Sequence, residues 1–273
     1  MMREEIVQAN IQVHTIMADS YHQEPHFRPE NRQKVRAILE QLGGKNKKLL
    51  DLGCGTGFII DLAKDLFHEI HGVDVTQAML NKVDTSGGNI TLHNTTAENV
   101  PFADHTFDVV SAYSFIHHLY DYKPVLQEAY RVLKPGGICY IDLEPNKLFW
   151  DAIRQIVDEG HDQPLSSHIT REVNSVLHTD SKVQDQFGID TDLFNKAEYQ
   201  KNLLGGIDPH ELKQFAKHTG FQSIEVTYHW FLSQGAVMHG QSFEIAQHIE
   251  NYLNEIKPLS DRLFKYIRFV LVK

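Results

Sequence analysis

The chain has 273 residues, with 36 acidic against 26 basic side chains, a formal net charge of −10, and 17 histidines able to offset part of it when protonated. At 41% hydrophobic residues it can build a core, which excludes wholesale disorder, and no apolar run approaches the roughly 20 residues needed to span a bilayer. The first residues, MMREEIVQANIQVH, lack the apolar stretch of a secretory signal, and two cysteines, Cys54 and Cys139, read as reduced thiols rather than a disulfide framework, so a cytoplasmic protein is expected.

Ile6, Ile11, Val13, Ile16 and Met17 fall near helical spacing, and a second helix runs from about Pro29 to Leu42, stopped by Gly43-Gly44. A polar stretch over 18–30, with aromatics and prolines, joins them. From Lys47 the pattern changes. Lys48 to Leu52 is a short apolar run feeding a glycine-rich turn, Phe58 to Phe67 reads as a helix, Glu69 to Val75 as a second strand and Gln77 to Val83 as a helix. Ile90 to Thr95 and Phe107 to Tyr113 are two further strands, the latter continuous and apolar as buried parallel strands tend to be. Lys123 to Leu133 is helical, Lys134-Pro-Gly-Gly137 is a stop-and-turn signal, and Ile138 to Leu143 is a fifth strand. Residues 145–206 break this rhythm. They are polar, carry His161, His168 and His178, and read as an inserted, largely helical cap. Pro209 to Thr219 is an amphipathic helix, Phe221 to Phe231 and Ile267 to Val272 are β segments, and a helix over Gln241 to Ile256 lies between them. Strands alternating with helices predict an α/β fold, a Rossmann-like doubly wound sheet of seven strands carrying a helical cap. The organisation expected is an N-terminal helical segment over 1–46, a core over 47–144, the cap over 145–206, and the rest of the core over 207–273 with a helical insertion at about 238–258.

The most informative stretch is Leu49-Leu-Asp-Leu-Gly-Cys-Gly-Thr-Gly57. A strand enters, three alternate glycines follow, and a helix leaves. Glycine is needed where backbone turns tightly or touches a ligand with no Cβ in the way, and the helix N-terminus adds oriented N–H groups. Spacing separates the candidate ligands. A dinucleotide fingerprint starting at Gly53 requires its third glycine where Phe58 stands, and no Gly-Lys-Ser/Thr of a P-loop follows. Asp74, 17 residues after Gly57 at the end of the second strand, is placed to accept hydrogen bonds from ribose hydroxyls.

These residues resemble class I S-adenosylmethionine-dependent methyltransferases. Leu49–Gly57 is similar to their first motif and Gly72-Val-Asp-Val75 to the ribose-binding motif that follows. Thr95–Val110, Ser114-Phe-Ile-His-His-Leu119 and Arg131-Val-Leu-Lys-Pro-Gly-Gly137 resemble the remaining motifs, and the likeness covers roughly residues 10–144. It is nearest to the branch of ubiquinone and menaquinone methyltransferases and many small-molecule enzymes. The resemblance implies S-adenosyl-L-methionine as cofactor, S-adenosyl-L-homocysteine as product, and a small-molecule acceptor, with no nucleic acid partner. It implies that Gly53, Cys54, Gly55 and Gly57 wrap the methionine part above Asp51, that Asp74 binds the ribose, and that Val75 and Met79 line the adenine. It further places Thr96, Ala97 and Glu98 at the adenine edge, Tyr113 and Ser114 where cofactor and acceptor meet, and Tyr21 as an aromatic cover from the 1–46 segment, which closes over the cofactor. Thr96 stands where the family often has an aspartate.

Methyl transfer from a sulfonium is an in-line displacement, so the protein mainly supplies alignment, and a base is needed only when the acceptor must lose a proton. His117 and His118 follow the fourth strand and are the nearest candidate bases. Arg28 could meet a carboxylate of cofactor or substrate, and His14 and His22 are weaker candidates. No metal site is expected: the adjacent histidines point different ways on any regular element, and the cap histidines have no H-E-x-x-H pattern. Phe149, Trp150, Trp230 and Phe231 suit an acceptor pocket wall or ordinary core equally well. Two rival readings remain open: a cofactor-binding protein on the same fold that does not methylate, and a nicotinamide oxidoreductase, disfavoured by the missing glycine. Oligomeric state is not legible.

Overall fold

The structure, a computed structural model, describes residues 2–159 and 165–273. Helix α1 (Arg3–Met17) and two short 3-10 turns (Tyr21–Gln23 and Pro25–Phe27) precede α2 (Pro29–Leu42). Then β1 (Gly44–Leu52), α3 (Phe58–Ala63), β2 (Phe67–Asp74), α4 (Gln77–Leu80), β3 (Ile90–Asn94), β4 (Phe107–Tyr113), α5 (Lys123–Val132) and β5 (Leu133–Pro145) alternate as the hydrophobic pattern requires. The cap consists of α6 (Lys147–Glu159), α7 (Ser167–Leu177), α8 (Thr179–Phe187), α9 (Thr191–Ala197) and a π-turn over Tyr199–Leu203. Helix α10 (Pro209–Thr219), β6 (Ser223–Phe231), α11 (Gln234–Gly240), α12 (Phe243–Glu255) and β7 (Phe264–Val272) complete the chain.

The seven strands form one sheet in the order β3-β2-β1-β4-β5-β7-β6. The first five run parallel, and β7 pairs antiparallel with both β5 and β6. The central strands are buried on both sides, which explains their near-continuous apolar sequence: Leu49, Leu50, Ile70, Val73, Val109 and Val110 are all sealed from solvent. The order reverses between β1 and β4, and at such a point an open α/β sheet leaves a crevice beyond its strands' carboxyl ends.

Several elements differ from expectation; α4 ends at Leu80 rather than Val83, and α11 is an addition to the expected elements. The helix opened by Phe58 ends at Ala63 instead of reaching Phe67, because Leu66 N–H turns back onto Ala63 O (2.8 Å) and Phe67 already pairs with Gly44. Gly44 is therefore the first residue of β1 rather than only a helix stop. The Lys134–Gly137 turn lies inside β5 as a bulge, since β4 pairs through Phe107–Leu133 and then Val109–Ile138, with Gly136 at φ +75°. Of the cap histidines, His161 lies outside the described residues. Phe149 and Trp150 pack with Ile153 and Val173, and Phe231 joins the main core, so these aromatics are core. Among the described residues no helix is long and apolar enough to cross a membrane.

Candidate active site

At the end of β1 the chain turns through Gly53, Gly55 and Gly57, all left-handed (φ +67°, +51° and +88°), and enters α3. The three glycines serve different ends. A Cβ at Gly53 would stand 2.0 Å from the Phe115 ring, and one at Gly57 would stand 2.9 Å from Val83. At Gly55 the nearest atom is Tyr21 Cε1, 4.0 Å away, across an open cleft. Gly53 and Gly57 thus allow close packing, whereas Gly55 leaves bare backbone facing the cleft.

Asp74, at the end of β2, holds the loop in place. Its Oδ2 accepts Gly55 N–H (2.9 Å) and its Oδ1 accepts Thr76 N–H (2.7 Å). A carboxylate offers about four lone-pair sites, so capacity for ribose hydroxyls remains. Beneath the loop, buried Asp51 accepts Ser111 Oγ–H (2.7 Å). Burial pushes its carboxyl up to about 7, with the Asp74 charge adding to the rise and the Ser111 hydrogen bond opposing it.

The cleft is open to solvent, about 750 Å³ of space counting the open water at its mouth. Of the residues named from sequence, Tyr21, Gly53, Gly55, Asp74, Val75, Met79, Thr96, Ala97, Glu98, Ser114 and His118 line it. Five do not. Asp51 lies under the loop. Cys54 donates its backbone N–H to Val73 O (3.0 Å) and buries its thiol in the core, where desolvation raises its pKa. Gly57 packs on Val83. Tyr113 points to the other side of the sheet, its ring 4.9 Å from Phe58 and its hydroxyl accepting Asn31 Nδ2–H (2.8 Å). Side chains alternate across a strand, and the left-handed Ser114 (φ +51°) then swings the following residues toward the cleft. His117 also turns away.

The segment after β4 makes a 3-10 turn at Ile116–His118, held from behind by a residue the sequence does not flag. Glu144, fully buried at the end of β5, accepts the N–H groups of Phe115 (2.8 Å), Ile116 (3.0 Å) and His117 (3.1 Å) and bonds His117 Nδ1 (2.8 Å). His118 faces the cleft. Its Nδ1 lies 2.8 Å from Ala197 O, which only accepts, so Nδ1 carries the proton and the neutral ring keeps its lone pair on Nε2. Burial, and the neighbouring His117 and His14, hold its pKa well below the ordinary histidine value.

Helix α1 covers the cleft. Arg3 pairs with Glu98 (2.8 Å), and Asn10 Nδ2–H donates to His118 O (3.1 Å). His14, ranked low from sequence, lines the cleft with its ring 4.9 Å from His118. Tyr21 is half-buried beside Gly55; burial first, then the charges of Glu24, Glu198 and Asp74, raise its pKa. Arg28 and His22 are exposed. Arg3, Asn10 and His14 were hidden in an ordinary amphipathic helix, and only the cover's placement distinguishes them.

The family model described as a methyltransferase domain matches residues 50–141. The chain is 31% identical over 206 residues to the ubiquinone/menaquinone biosynthesis C-methyltransferase UbiE of Haemophilus ducreyi, covering 71% of this chain and 70% of that one. It is 38% identical over 114 residues to a demethylmenaquinone methyltransferase of Chlorobaculum parvum, covering 41% and 46%. The chain spans about half the length of the first curated relatives it matches, 55% and 46%. Among solved structures, a phosphoethanolamine N-methyltransferase 2 of Haemonchus contortus superposes with a TM-score of 0.58 at 19% identity, over 99% of this chain and 60% of that one, a likeness of fold. The sheet order, the glycine loop with its acidic partner, and the 70% coverage of a 31% identical relative lead to one conclusion: the chain belongs to the class I S-adenosylmethionine-dependent methyltransferases, on the branch of the ubiquinone/menaquinone methyltransferases.

Proposed function

We propose that the protein transfers the methyl group of S-adenosylmethionine to a small-molecule acceptor, with S-adenosylhomocysteine as the other product. The observation that carries this reading is the cleft at the reversal of strand order, where Gly55 presents bare backbone beside Asp74. The donor set suits this cofactor. Asp74 has lone pairs left for ribose hydroxyls, Val75 and Met79 supply an apolar wall for the adenine, and Thr96, Ala97 and Glu98 stand at its edge. Tyr21 presents an aromatic ring near the loop, and such rings attract a sulfonium cation. Bound there, the cofactor supplies an activated methyl group on sulfur.

The chain's own residues then align and exclude water. Residues 1–46 close the cleft through Arg3, Asn10 and Tyr21, residues 47–144 hold the cofactor, the 145–206 cap selects the acceptor, and 207–273 complete the sheet. His118, with Nε2 unprotonated, is the base for an acceptor that must lose a proton, whereas His117 serves the turn's shape through Glu144. The relatives' names make demethylmenaquinone the first acceptor to test. The net charge of −10 supports a small molecule over nucleic acid, and reduced, buried Cys54 and Cys139 fit the cytoplasm.

Calorimetry of the purified chain with S-adenosylmethionine and S-adenosylhomocysteine tests the reading. Stoichiometric binding of both is expected. No association with either at ~1 mM, a concentration well above common cofactor affinities, defeats it. Binding without label transfer to any acceptor would instead favour the non-methylating alternative.

A further inference from the structure

Beside His118 lies a buried polar cluster that methyl transfer, as derived above, leaves without a role. The His117 and His118 rings lie 4.1 Å apart, tilted by 37°. Glu198, from the turn after α9, places Oε2 3.6 Å from His117 Nε2 and Oε1 3.7 Å from His118 Nδ1. Lys201 Nζ lies 2.8 Å from Glu198 Oε2. The turn is a π-helix, a form frequent at functional sites. Gln200 anchors it by donating Nε2–H to Leu119 O (3.0 Å) and Tyr120 O (2.9 Å).

The donor atoms of His117, His118 and Glu198 fall within 4.8 Å of one another, which is near enough for a divalent ion. Their other commitments speak against one. The Lys201 ammonium already holds Glu198, the His118 Nδ1 proton goes to Ala197 O, and His117 Nδ1 goes to Glu144. At 3.6–3.7 Å Glu198 makes no hydrogen bond to either ring. What it offers them is negative charge in a water-poor setting.

We propose that Glu198, delivered by the cap, is a positioning residue for methyl transfer: it stabilises the imidazolium formed when His118 Nε2 takes a proton from the acceptor. The proposal rests on the methyl-transfer reading. In the step, the acceptor's proton passes to Nε2 and its freed electron pair forms the bond to the methyl carbon. The sulfur–methyl bond breaks with its pair going to sulfur, which becomes a neutral thioether. The imidazolium later releases the proton to water. The arrangement names an acceptor class: one with an acidic O–H, or with a carbon made nucleophilic by such a group, as in a phenol or enol. A tertiary amine, with no proton to give, has no use for it.

The surroundings bear this out electrostatically. Burial would raise the Glu198 carboxyl, yet Lys201 and the two histidines hold it well below the usual carboxylate range, so it is charged. For His118, burial, His117 and His14 oppose protonation while Glu198 and the Ala197 carbonyl favour it. The other titratable groups facing the cluster are Tyr21 and Glu24 from the 18–28 segment, Glu144 of β5 behind His117, and Tyr266 of β7 beside Lys201.

The test reads His118 directly, by nitrogen NMR of the full chain labelled at histidine, with the resonance assigned by its loss in His118→Gln. In Lys201→Met the carboxylate is no longer neutralised, and the His118 midpoint is expected to rise by about one to three pH units. In Glu198→Gln it is expected to fall, leaving the ring neutral to the lowest pH at which the fold survives. The Glu198→Gln/Lys201→Met pair strands no buried charge and is expected to cancel the rise. Equal midpoints in Lys201→Met and the double variant overturn the proposal. If Lys201→Met does not fold, an unmoved midpoint in Glu198→Gln does the same. Stoichiometric Zn²⁺ uptake that shifts both histidines and needs Glu198 also overturns it, making the cluster a metal site. Calorimetry with S-adenosylhomocysteine on wild type separates this failure from that of the cofactor reading, since the titration needs no bound ligand.

Discussion

The glycine loop offers a test in which neighbouring positions fail in different ways. Gly53 and Gly55 are both left-handed, at φ +67° and +51°, and forcing an L-residue into that region costs roughly 1–2 kcal/mol. At Gly53 the new Cβ would also sit 2.0 Å from Phe115 Cδ2 and 2.3 Å from its Cγ. Those atoms belong to the rooted part of a ring on the turn that Glu144 holds, so the clash adds about 1–3 kcal/mol of overpacking. Gly53→Ala should therefore lose about 2–5 kcal/mol of stability. At Gly55 an added Cβ meets only Tyr21, at 4.0 Å, so Gly55→Val carries no clash at that atom. It should fold with the smaller backbone penalty while its side chain fills the cleft and abolishes cofactor binding. Thermal unfolding and calorimetry with S-adenosylhomocysteine on both variants separate the two effects. The reasoning is refuted if Gly55→Val binds with wild-type affinity, or if Gly53→Ala melts with the wild type.

Asp51 predicts a pH dependence of stability. Its carboxyl is pushed up to about 7 in the fold against 3.8 for the free group, so the folded protein binds the extra proton. Its contribution is full below about pH 4 and is lost as pH rises toward about 7. Asp51→Asn should gain up to ~4 kcal/mol on the wild type at pH 8, three units at 1.36 kcal/mol each, and much less at pH 5. Equal differences in unfolding free energy at the two pH values would refute it. Glu144→Gln keeps shape and one oxygen for the Phe115 and Ile116 N–H groups, but turns an amide N–H toward the His117 N–H, which loses its acceptor. Leaving a buried donor unpaired costs ~1–3 kcal/mol, so unfolding midpoints should drop by several degrees, and an unchanged midpoint would show that the turn does not depend on the carboxylate.

The sheet was legible because its central strands are buried on both faces and so write themselves as unbroken apolar runs between turn residues. The loop and Asp74 were legible because close backbone approach leaves glycine, and a strand end leaves an acid, at characteristic spacing. Side-chain direction at the end of β4 was not. Tyr113 and His117 were expected at the cleft, yet a positive φ at a serine and a single 3-10 turn decide that Ser114 and His118 face it instead. Glu144 and Glu198 were unreadable for a different reason. Each acts on the His117–His118 turn from another element, 27 and 80 or more positions away in the chain, and a buried acid has no local pattern to mark it. The notion that adjacent histidines cannot converge also fails here, since a 3-10 turn brings their rings to 4.1 Å.

Helix α1, over the cleft, and the cap are joined by one apolar cluster. Ala9, Val13 and Met17 on α1 share an apolar cluster with Ile189, Phe194 and Ala197 of the cap. Helix α1 carries Arg3 and Asn10 over the cleft, while Ala197 ends α9 and its carbonyl fixes the His118 tautomer. Opening the cleft by lifting α1 alone would expose that cluster to water, at roughly 25 cal/mol for each Å² uncovered. Moving α1 with α9 keeps the cluster intact but withdraws Ala197 O and Glu198 from His118. In the proposed cycle the base is therefore fully set only when the cover is shut, which ties proton removal to exclusion of water through packing already present in the fold.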